Sequence, residues 1–495
     1  MTGPQYDYII VGAGTAGCVL AARLTEDSSA RVLLVEAGGA ERTRAMTVPD
    51  AWPELLGSDA NWGDLTTAQA EAGPGIYPRG RTLGGSGAIN AMAHVRGHPA
   101  GYDGWAVAGW AFGDLLPYFR RSEQAVGRDA VLRGTSGPVR VAPVPEPDRH
   151  PAARAFAAAL LQAGCPATDD LSGRRPEGVA WPDLAIADGQ RVSPADAYLR
   201  PVLDRPNLTV HTGALATRLE ERHGRCTALG YLRDGTPDRA EASGEVILCA
   251  GAVGTPQLLM LSGLGPAGHL RAVGIEPVAD LPMVGSDLQD HPVAMACYAA
   301  PGPLPRSRYN HGEVYAALRS PLAGAWPDLQ LFPVLLPVVP PGREAPDSGF
   351  ALLAAVMAPD SRGTVRLASA DPRAAPLIDP GFLRDGRDLD RLTAGLRLIR
   401  EVATFPDATE VWPGAEGDLH VYIRHTVGSY YHPAGSCRIG PDPDGVVDSD
   451  LRVHGITGLR IADASVLPVI PNAPLNATVL AVAEKAADLI RMGPG

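Results

Sequence analysis

Three glycines near the N-terminus, Gly12, Gly14 and Gly17, have the spacing of a site that binds a dinucleotide pyrophosphate. In such a G-x-G-x-x-G segment the first glycine permits a tight turn, the second lets the backbone approach the pyrophosphate, and the third lets a helix pack closely on a strand. Glu36 lies about twenty residues further on, where an acidic side chain binds the adenosine ribose. The spacing predicts a dinucleotide site but does not separate FAD from NAD.

The elements around these glycines form a βαβ unit. The segment YDYIIV, residues 6–11, is typical of a buried strand. A helical segment follows the glycines, and ARVLLVEAGG, residues 30–39, predicts a second strand. The first turn of the helix would offer free N–H groups and its positive dipole to the phosphates.

The rest of the chain mixes loops, helices and strands without any segment typical of a linker, so we expect its domains to interleave. Residues 300–385 combine strand-like stretches with prolines and look like a different domain. The patterns predict a glycine-rich functional loop over 73–105, mostly helix over 115–165, antiparallel strands over 205–213 and 216–234, a buried strand over 245–253, and helices over 386–404 and 476–491.

The composition of the 495 residues excludes several classes of protein. A net charge of −12 without a basic run disfavours nucleic-acid binding, because such a chain repels phosphate backbones. The six cysteines are dispersed, with no zinc spacing, and are expected to be reduced and to bind no metal. The absence of a signal peptide and of a long apolar stretch predicts a cytoplasmic protein with no transmembrane segment. The near absence of lysine beside many arginines favours a bacterial source.

Several long motifs extend the analysis to the whole chain. They are PRGRTLGGSGAINAMAHVRG at 78–97, GAVGTPQLLMLSGLGP at 251–266, VGSDLQDHP at 284–292, YHPAGSCRIG at 431–440, VVD at 446–448 and LRIADAS at 459–465. In form and order they resemble the motifs of the glucose–methanol–choline (GMC) oxidoreductases.

This resemblance implies FAD as the cofactor and an α/β fold. We expect a doubly wound, Rossmann-like FAD-binding domain interleaved with an α+β substrate domain built on an antiparallel sheet. The predicted FAD-binding domain is discontinuous, with residues 1–150, 193–300 and 426–495, and the substrate domain takes 151–192 and 301–425. Some family members attach FAD covalently through a histidine in the first motif. Ile89 occupies that position here, so we expect the flavin to be bound non-covalently.

The resemblance also assigns the contacts to the cofactor. The first motif should follow the flavin and its pyrophosphate, Ala216 should pair with adenine, Gly251 should lie over the adenosine half, and Asp463 with Ala464 should face the pyrophosphate and ribityl chain. The full predicted set is Gly12, Gly14, Thr15, Ala16, Gly17, Glu36, Ala37, Arg81, Leu83, Gly84, Gly85, Asn90, Ala91, Met92, Ala93, Ala216, Ala250, Gly251, Asp463, Ala464, Asn476 and Ala477.

His432, in the HPAGSC segment, matches the active-site histidine of the family. Imidazole suits the removal of a hydroxyl proton at neutral pH, while the carbon gives hydride to flavin N5. The family pairs this histidine with an Asn or a second His, but that position here is Pro474. We predict that Asn476 supplies the missing group, with a helix N-cap as its alternative role. His291, in QDHP, is predicted to be structural.

The substrate domain carries a weaker signal. The run LQLFPVLLPVVPP at 329–341 is apolar, and it favours an apolar or aromatic alcohol, although it is equally typical of a core strand followed by a loop. O₂ or a redox carrier would reoxidise the flavin. Two alternatives stay open: a lyase of the hydroxynitrile lyase type, and a flavoprotein whose catalysis is lost or altered because of Pro474.

Overall fold

The structure is a computed structural model, and it describes residues 5–340, 342–403, 408–414 and 417–493. The strands of this part are β1 (Gln5–Val11), β2 (Val32–Val35), β3 (Glu123–Ala125), β4 (Val139–Val141), β5 (Gly178–Ala180), β6 (Ile186–Ala187), β7 (Gln190–Arg191), β8 (Leu208–His211), β9 (Ala214–Arg222), β10 (Arg225–Arg233), β11 (Thr236–Leu248), β12 (Leu264–Gly265), β13 (Ala279–Asp280), β14 (Pro292–Ala299), β15 (Tyr315–Leu318), β16 (Leu329–Val334), β17 (Gly349–Val356), β18 (Thr364–Arg366), β19 (Leu377–Asp379), β20 (Thr409–Trp412), β21 (Gly428–Ser429) and β22 (Leu459–Ile461).

The helices are α1 (Thr15–Leu24), α2 (Arg44–Thr47), α3 (Ser86–Ile89), α4 (Pro99–Asp103), α5 (Phe112–Ser122), α6 (Pro151–Gln162), α7 (Gly251–Leu261), α8 (Ala267–Ala272), α9 (Gly386–Val402), α10 (Leu419–Thr426) and α11 (Asn476–Arg491). The last of these has the predicted bounds. Residue 404, at the predicted end of the preceding long helix, and Pro341 lie outside the described residues. No described helix is long and apolar enough to span a bilayer.

The first sheet has the strand order β8-β2-β1-β11-β10-β9, with β22 beside β11. Its β8, β2, β1, β11 and β22 run parallel, and β9 and β10 extend it as an antiparallel hairpin. The residues of β2 are all buried, as expected of a parallel strand covered on both faces. Because α1 leaves the carboxyl end of β1, its N-terminus lies at the edge where such sheets bind ligands.

The second sheet has the order β20-β14-β17-β16-β15-β5, with β21 beside β14, and all its pairs are antiparallel. Helix α9 packs against β14, β16 and β17, and its apolar side chains close a separate core with those strands. The predicted combination of a doubly wound domain and an antiparallel substrate sheet is confirmed.

Several finer predictions are wrong. The segment between α5 and α6 is not helical but contains β3 and β4, because buried Glu123 is held there by ion pairs with Arg96 and Arg133. Strand β8 is parallel to β2 rather than antiparallel, since alternation of side chains does not reveal strand direction. The predicted strand 245–253 ends at Leu248, and helix α7 begins within its last residues.

The sheets also refine the division of the chain. Strands β14 and β21 belong to the antiparallel sheet, although the segments 193–300 and 426–495 were predicted to lie wholly in the FAD-binding domain. The apolar residues of β14 pack with that sheet's core, so this strand does not belong to the sheet that carries the glycine motif. The division into two interleaved domains is otherwise unchanged as a prediction.

Candidate active site

A cavity of about 920 Å³ extends from the glycine motif of α1 to His432. Most of the predicted contacts line it, namely Gly12, Gly14, Thr15, Ala16, Glu36, Ala37, Arg81, Gly85, Asn90, Ala91, Met92, Ala93, Ala216, Ala250, Gly251, Asp463, Ala464 and Asn476. Segments that are distant in sequence therefore meet around one space.

Four predicted contacts do not line this cavity but support its wall. A Cβ on Gly17 would lie 1.9 Å from the carbonyl oxygen of Gly12, so this glycine lets α1 approach the preceding turn. The backbone N–H of Gly84 donates to the carbonyl of Ala13, and Leu83 and Ala477 are buried in the core. Their contact with the cofactor stays a prediction.

The N-terminus of α1 is suited to bind phosphates. Its N-cap is Gly14, and no side chain caps its free N–H groups, which leaves them for an anion. Gly85, at φ +52°, approaches so closely that a Cβ on it would lie 2.6 Å from the Cα of Gly14. Two glycine-rich loops thus meet at the helix terminus and offer a narrow backbone cradle.

Glu36 is buried directly after β2 and fixes the loops around it. Its carboxylate accepts hydrogen bonds from the backbone N–H groups of Ala13 and Gly38, both at 2.8 Å. Burial raises the pKa of Glu36 to about 7, against the opposing effect of these hydrogen bonds. Each carboxylate oxygen still has a lone pair for a ribose hydroxyl, so the predicted role fits the geometry.

Asp463 joins two of the predicted cofactor segments. It accepts hydrogen bonds from the backbone N–H of Gly251 at 2.8 Å and from the Thr255 hydroxyl at 2.6 Å. Burial raises the pKa of Asp463, and its hydrogen bonds oppose that rise. The N-terminus of α7 is therefore tied to the loop after β22 at the cavity wall.

His432 lies in the cavity wall beside Tyr430, with 4.4 Å between the ring centroids. Its backbone N–H donates to Asp290, whose carboxylate also accepts from the backbone N–H of His291. Burial lowers the pKa of His432 to about 3, so the ring is neutral near pH 7. A neutral imidazole can accept a proton, as a general base must.

Asn476, the predicted partner of His432, lines the same cavity but makes its hydrogen bond to another residue. Asn476 lines the cavity at the start of α11, and its Oδ1 accepts a hydrogen bond from the Thr15 hydroxyl at 2.8 Å. The N-cap of α11 is Leu475, and no side chain caps this helix, so the alternative role as a helix cap is wrong. Asn472 instead bonds the backbone of His98 and Pro327.

The wall near His432 is largely apolar and aromatic. From the run 329–341, the residues Phe332, Val334, Leu336, Val338 and Val339 line the cavity, together with Tyr315 and Met295. Phe332 stacks on Tyr430 at 4.7 Å between centroids. The run is thus both a core strand and a wall of the site.

Sequence reasoning missed several of these residues. Asn310 donates a hydrogen bond to the carbonyl of Ala91 at 2.7 Å and accepts one from Trp52 through its own carbonyl. Tyr430 accepts a hydrogen bond from Gln330 and donates one to Tyr315. Tyr430 directly precedes the motif at 431–440, and this position could have marked it as a site residue. Asn310 lies in no motif, so the sequence gives no indication of its role.

Four other histidines make hydrogen bonds within the protein, and one of them also lines the cavity. His94 bonds Glu123, His98 caps α4, and His311 bonds the carbonyl of Asp50. His425 lines the cavity, and its Nδ1 is hydrogen-bonded to the carbonyl of Val421. No cluster of His, Cys, Asp or Glu in the described ranges is arranged to hold a metal ion.

The fold and the cavity are those expected of a dinucleotide-binding enzyme, and comparison with known proteins identifies its family. The N-terminal GMC oxidoreductase family model matches residues 6–293 and the C-terminal one residues 359–483. The mitochondrial choline dehydrogenase of Mus musculus is 36% identical over 99% of this chain and 90% of its own length. The oxygen-dependent choline dehydrogenase of Photobacterium profundum is 37% identical over 98% and 93%. A pyridoxine 4-oxidase structure from Mesorbium loti has a TM-score of 0.95 and 35% identity, and covers 99% of this chain and 100% of its own.

The chain belongs to the GMC oxidoreductase family. It is an FAD-dependent enzyme that oxidises an alcohol. The uncapped N-terminus of α1, the cradle at Gly14 and Gly85, and the buried carboxylate of Glu36 fit the pyrophosphate and ribose of FAD. Ile89, at the position where some relatives attach flavin, is a buried aliphatic side chain in the cavity wall, which fits non-covalent binding.

Proposed function

We propose that this enzyme oxidises a neutral apolar or aromatic alcohol to the carbonyl compound, with His432 as the general base. The observation that carries the proposal is the combination of a neutral, half-buried imidazole with an apolar wall of Phe332, Val334 and Leu353 in the same cavity. Such a wall binds a substrate through burial of its apolar surface and leaves its hydroxyl for the imidazole.

His432 would take the hydroxyl proton while the carbon loses hydride. FAD, when bound, supplies the hydride acceptor. The backbone of His432 is fixed by Asp290, which also accepts a hydrogen bond from the Ser429 hydroxyl. This anchoring fixes the backbone from which the imidazole projects beside Tyr430.

The charges around the cavity support a neutral substrate. Asp64, a carboxylate in its lining, is paired with Arg79 through a 2.6 Å hydrogen bond, and Glu36 and Asp463 belong to the cofactor end. No unpaired carboxylate stands beside His432 in the described part of the lining. Relatives named for choline act on a cation, and a cationic substrate would be favoured by an unpaired negative charge nearby.

Anaerobic mixing of the yellow enzyme with a panel of alcohols tests the proposal. We expect aromatic primary alcohols to bleach the flavin absorbance faster than choline or pyridoxine at equal concentration. His432→Ala should keep FAD but slow the bleaching by roughly 10²–10⁴-fold, the usual contribution of a positioned base. Bleaching by choline alone would overturn the substrate class. No bleaching by any alcohol, together with cleavage of a cyanohydrin, would favour the lyase.

We also propose that O₂ or a redox carrier reoxidises the flavin and that the enzyme works in the cytoplasm of a bacterium. The described cysteines are all free, which suits a reducing compartment. Following reoxidation of the reduced enzyme in aerated buffer, with and without an artificial electron acceptor, separates the oxidase from the dehydrogenase.

A further inference from the structure

His291, buried behind the cavity wall, makes a direct contact with the proposed base. Its Nδ1 lies 2.9 Å from the Nδ1 of His432, and the two ring planes are nearly perpendicular, at 88°. The side chain of His291 is fully buried. The two residues are 141 positions apart, so the contact is a product of the fold.

The geometry of this pair couples the protonation patterns of the two rings. At 2.9 Å one Nδ1 must carry a hydrogen and the other must accept it. A neutral imidazole carries hydrogen on one nitrogen only. If His432 donates from Nδ1, its Nε2 has a free lone pair and can act as a base. If His432 accepts at Nδ1, its Nε2 carries hydrogen and cannot.

The surroundings of His291 decide between these arrangements. Burial, and then the neighbouring His432, lower the pKa of His291 well below its ordinary value, so this ring is neutral. The backbone carbonyls of Pro471 and Met357 act in the opposite direction and favour a hydrogen on the ring, because a carbonyl only accepts. With Nδ1 engaged by His432, that hydrogen belongs on Nε2, which is buried and makes no well-formed hydrogen bond with the described residues, so the two carbonyls favour the hydrogen only through their negative ends. Asp290 does not compete, since its hydrogen bonds go to backbone N–H groups and Ser429.

We propose that His291 is a positioning residue that holds His432 in the tautomer with a basic Nε2. The proposal rests on the proposed role of His432 as the base. The proton leaves the alcohol oxygen and binds Nε2 of His432, which becomes an imidazolium with its other N–H already directed at Nδ1 of His291. The hydrogen bond between the rings is then charge-assisted and stronger than before the transfer.

Two replacements of equal size separate the hydrogen bond from the packing. In His291→Asn the side-chain oxygen stands close to the position of Nδ1 and can accept from His432, whereas His291→Leu offers no acceptor. We expect His291→Leu to slow flavin reduction by about 10–150-fold, the range for one hydrogen bond to a charged group. His291→Asn should stay within a few-fold of the parent enzyme. Equal rates for the two variants would overturn the proposal.

The tautomers can be observed without turnover. In holoenzyme with ¹⁵N-labelled histidine, NMR should show hydrogen on Nδ1 and a lone pair on Nε2 of His432, with signals assigned by loss in the His432→Ala and His291→Asn proteins. Hydrogen on Nε2 of His432 would overturn the proposal, even if His291→Leu does not fold. If His432→Ala reduced flavin at the parent rate, the proposed role of His432 as the base would be refuted. The NMR spectra of the parent enzyme would still show on which nitrogens of the two rings the hydrogens lie.

Discussion

Replacement of Asn476 by alanine tests whether this residue supplies the polar group that Pro474 lacks. Oδ1 of Asn476 is occupied by the Thr15 hydroxyl at 2.8 Å, while no described residue accepts a hydrogen bond from its Nδ2. The free amide N–H groups lie in the wall of the cavity that contains His432. We therefore expect Asn476 to donate to the substrate oxygen as that oxygen gains negative charge.

The expected magnitude follows from this geometry. Loss of a hydrogen bond to a charged group costs about 1.5–3 kcal/mol, which corresponds to roughly 10–150-fold in the rate of flavin reduction. Thr15→Val is the matched control, because it removes the same Thr15–Asn476 hydrogen bond but leaves the amide in place. It should cost only about 0.5–1.5 kcal/mol of stability, the ordinary value of a neutral hydrogen bond.

Anaerobic stopped-flow reduction and thermal melting of the two variants give the answer. The prediction requires that Asn476→Ala be at least about tenfold slower than Thr15→Val, with similar melting temperatures. If both variants reduce at the parent rate and lose similar stability, Asn476 only joins α11 to α1. His432 would then be the acid–base side chain of the site without a second polar partner.

Three further predictions concern the cofactor. Gly14→Val should fold but lose FAD, since a Cβ there meets no protein atom closer than 3.8 Å and instead enters the space of the cofactor. Gly85→Ala should lower the melting temperature even without FAD, because its Cβ would lie 2.6 Å from the Cα of Gly14. Flavin absorbance and melting curves distinguish the two effects. Acid precipitation should release FAD into the supernatant, because Ile89 cannot form a covalent bond to flavin, and flavin retained in the pellet would contradict this. FAD affinity should weaken as the pH falls below about 7, because the Glu36 carboxyl then takes up a proton and accepts hydrogen bonds from the ribose less strongly than the carboxylate does. Glu36→Gln should abolish this pH dependence, and an unchanged titration of the variant would argue against Glu36.

Local patterns allowed much of the cofactor site to be predicted. The G-x-G-x-x-G spacing specifies a strand, a turn and a helix within a few residues, so the positions of Gly14 and Glu36 followed from sequence. Helix α11 has the predicted bounds because its apolar face and flanking proline are local signals. Such signals depend only on residues that are close along the chain, and the structure agrees with them at the glycine motif and at α11.

The substrate end could not be predicted in the same way. The direction of β8 depends on its pairing with β2, which its own alternation does not encode. The contact between His291 and His432 and the hydrogen bond from Asn310 to Ala91 join positions 141 and 219 residues apart. A motif can mark each residue as important, but only the packed chain shows that two of them touch.

The hydrogen bond between Thr15 and Asn476 spans 461 positions, and this separation bears on how the enzyme is made. A growing polypeptide presents the first βαβ unit early, yet the cavity stays open until α11 has been synthesised and has docked on α1. Flavin capture is therefore a late event in maturation, and chains that stop before α11 expose an apolar cavity that invites aggregation. A supply of free FAD during expression should therefore raise the yield of active enzyme, because bound FAD stabilises each chain once its cavity has closed.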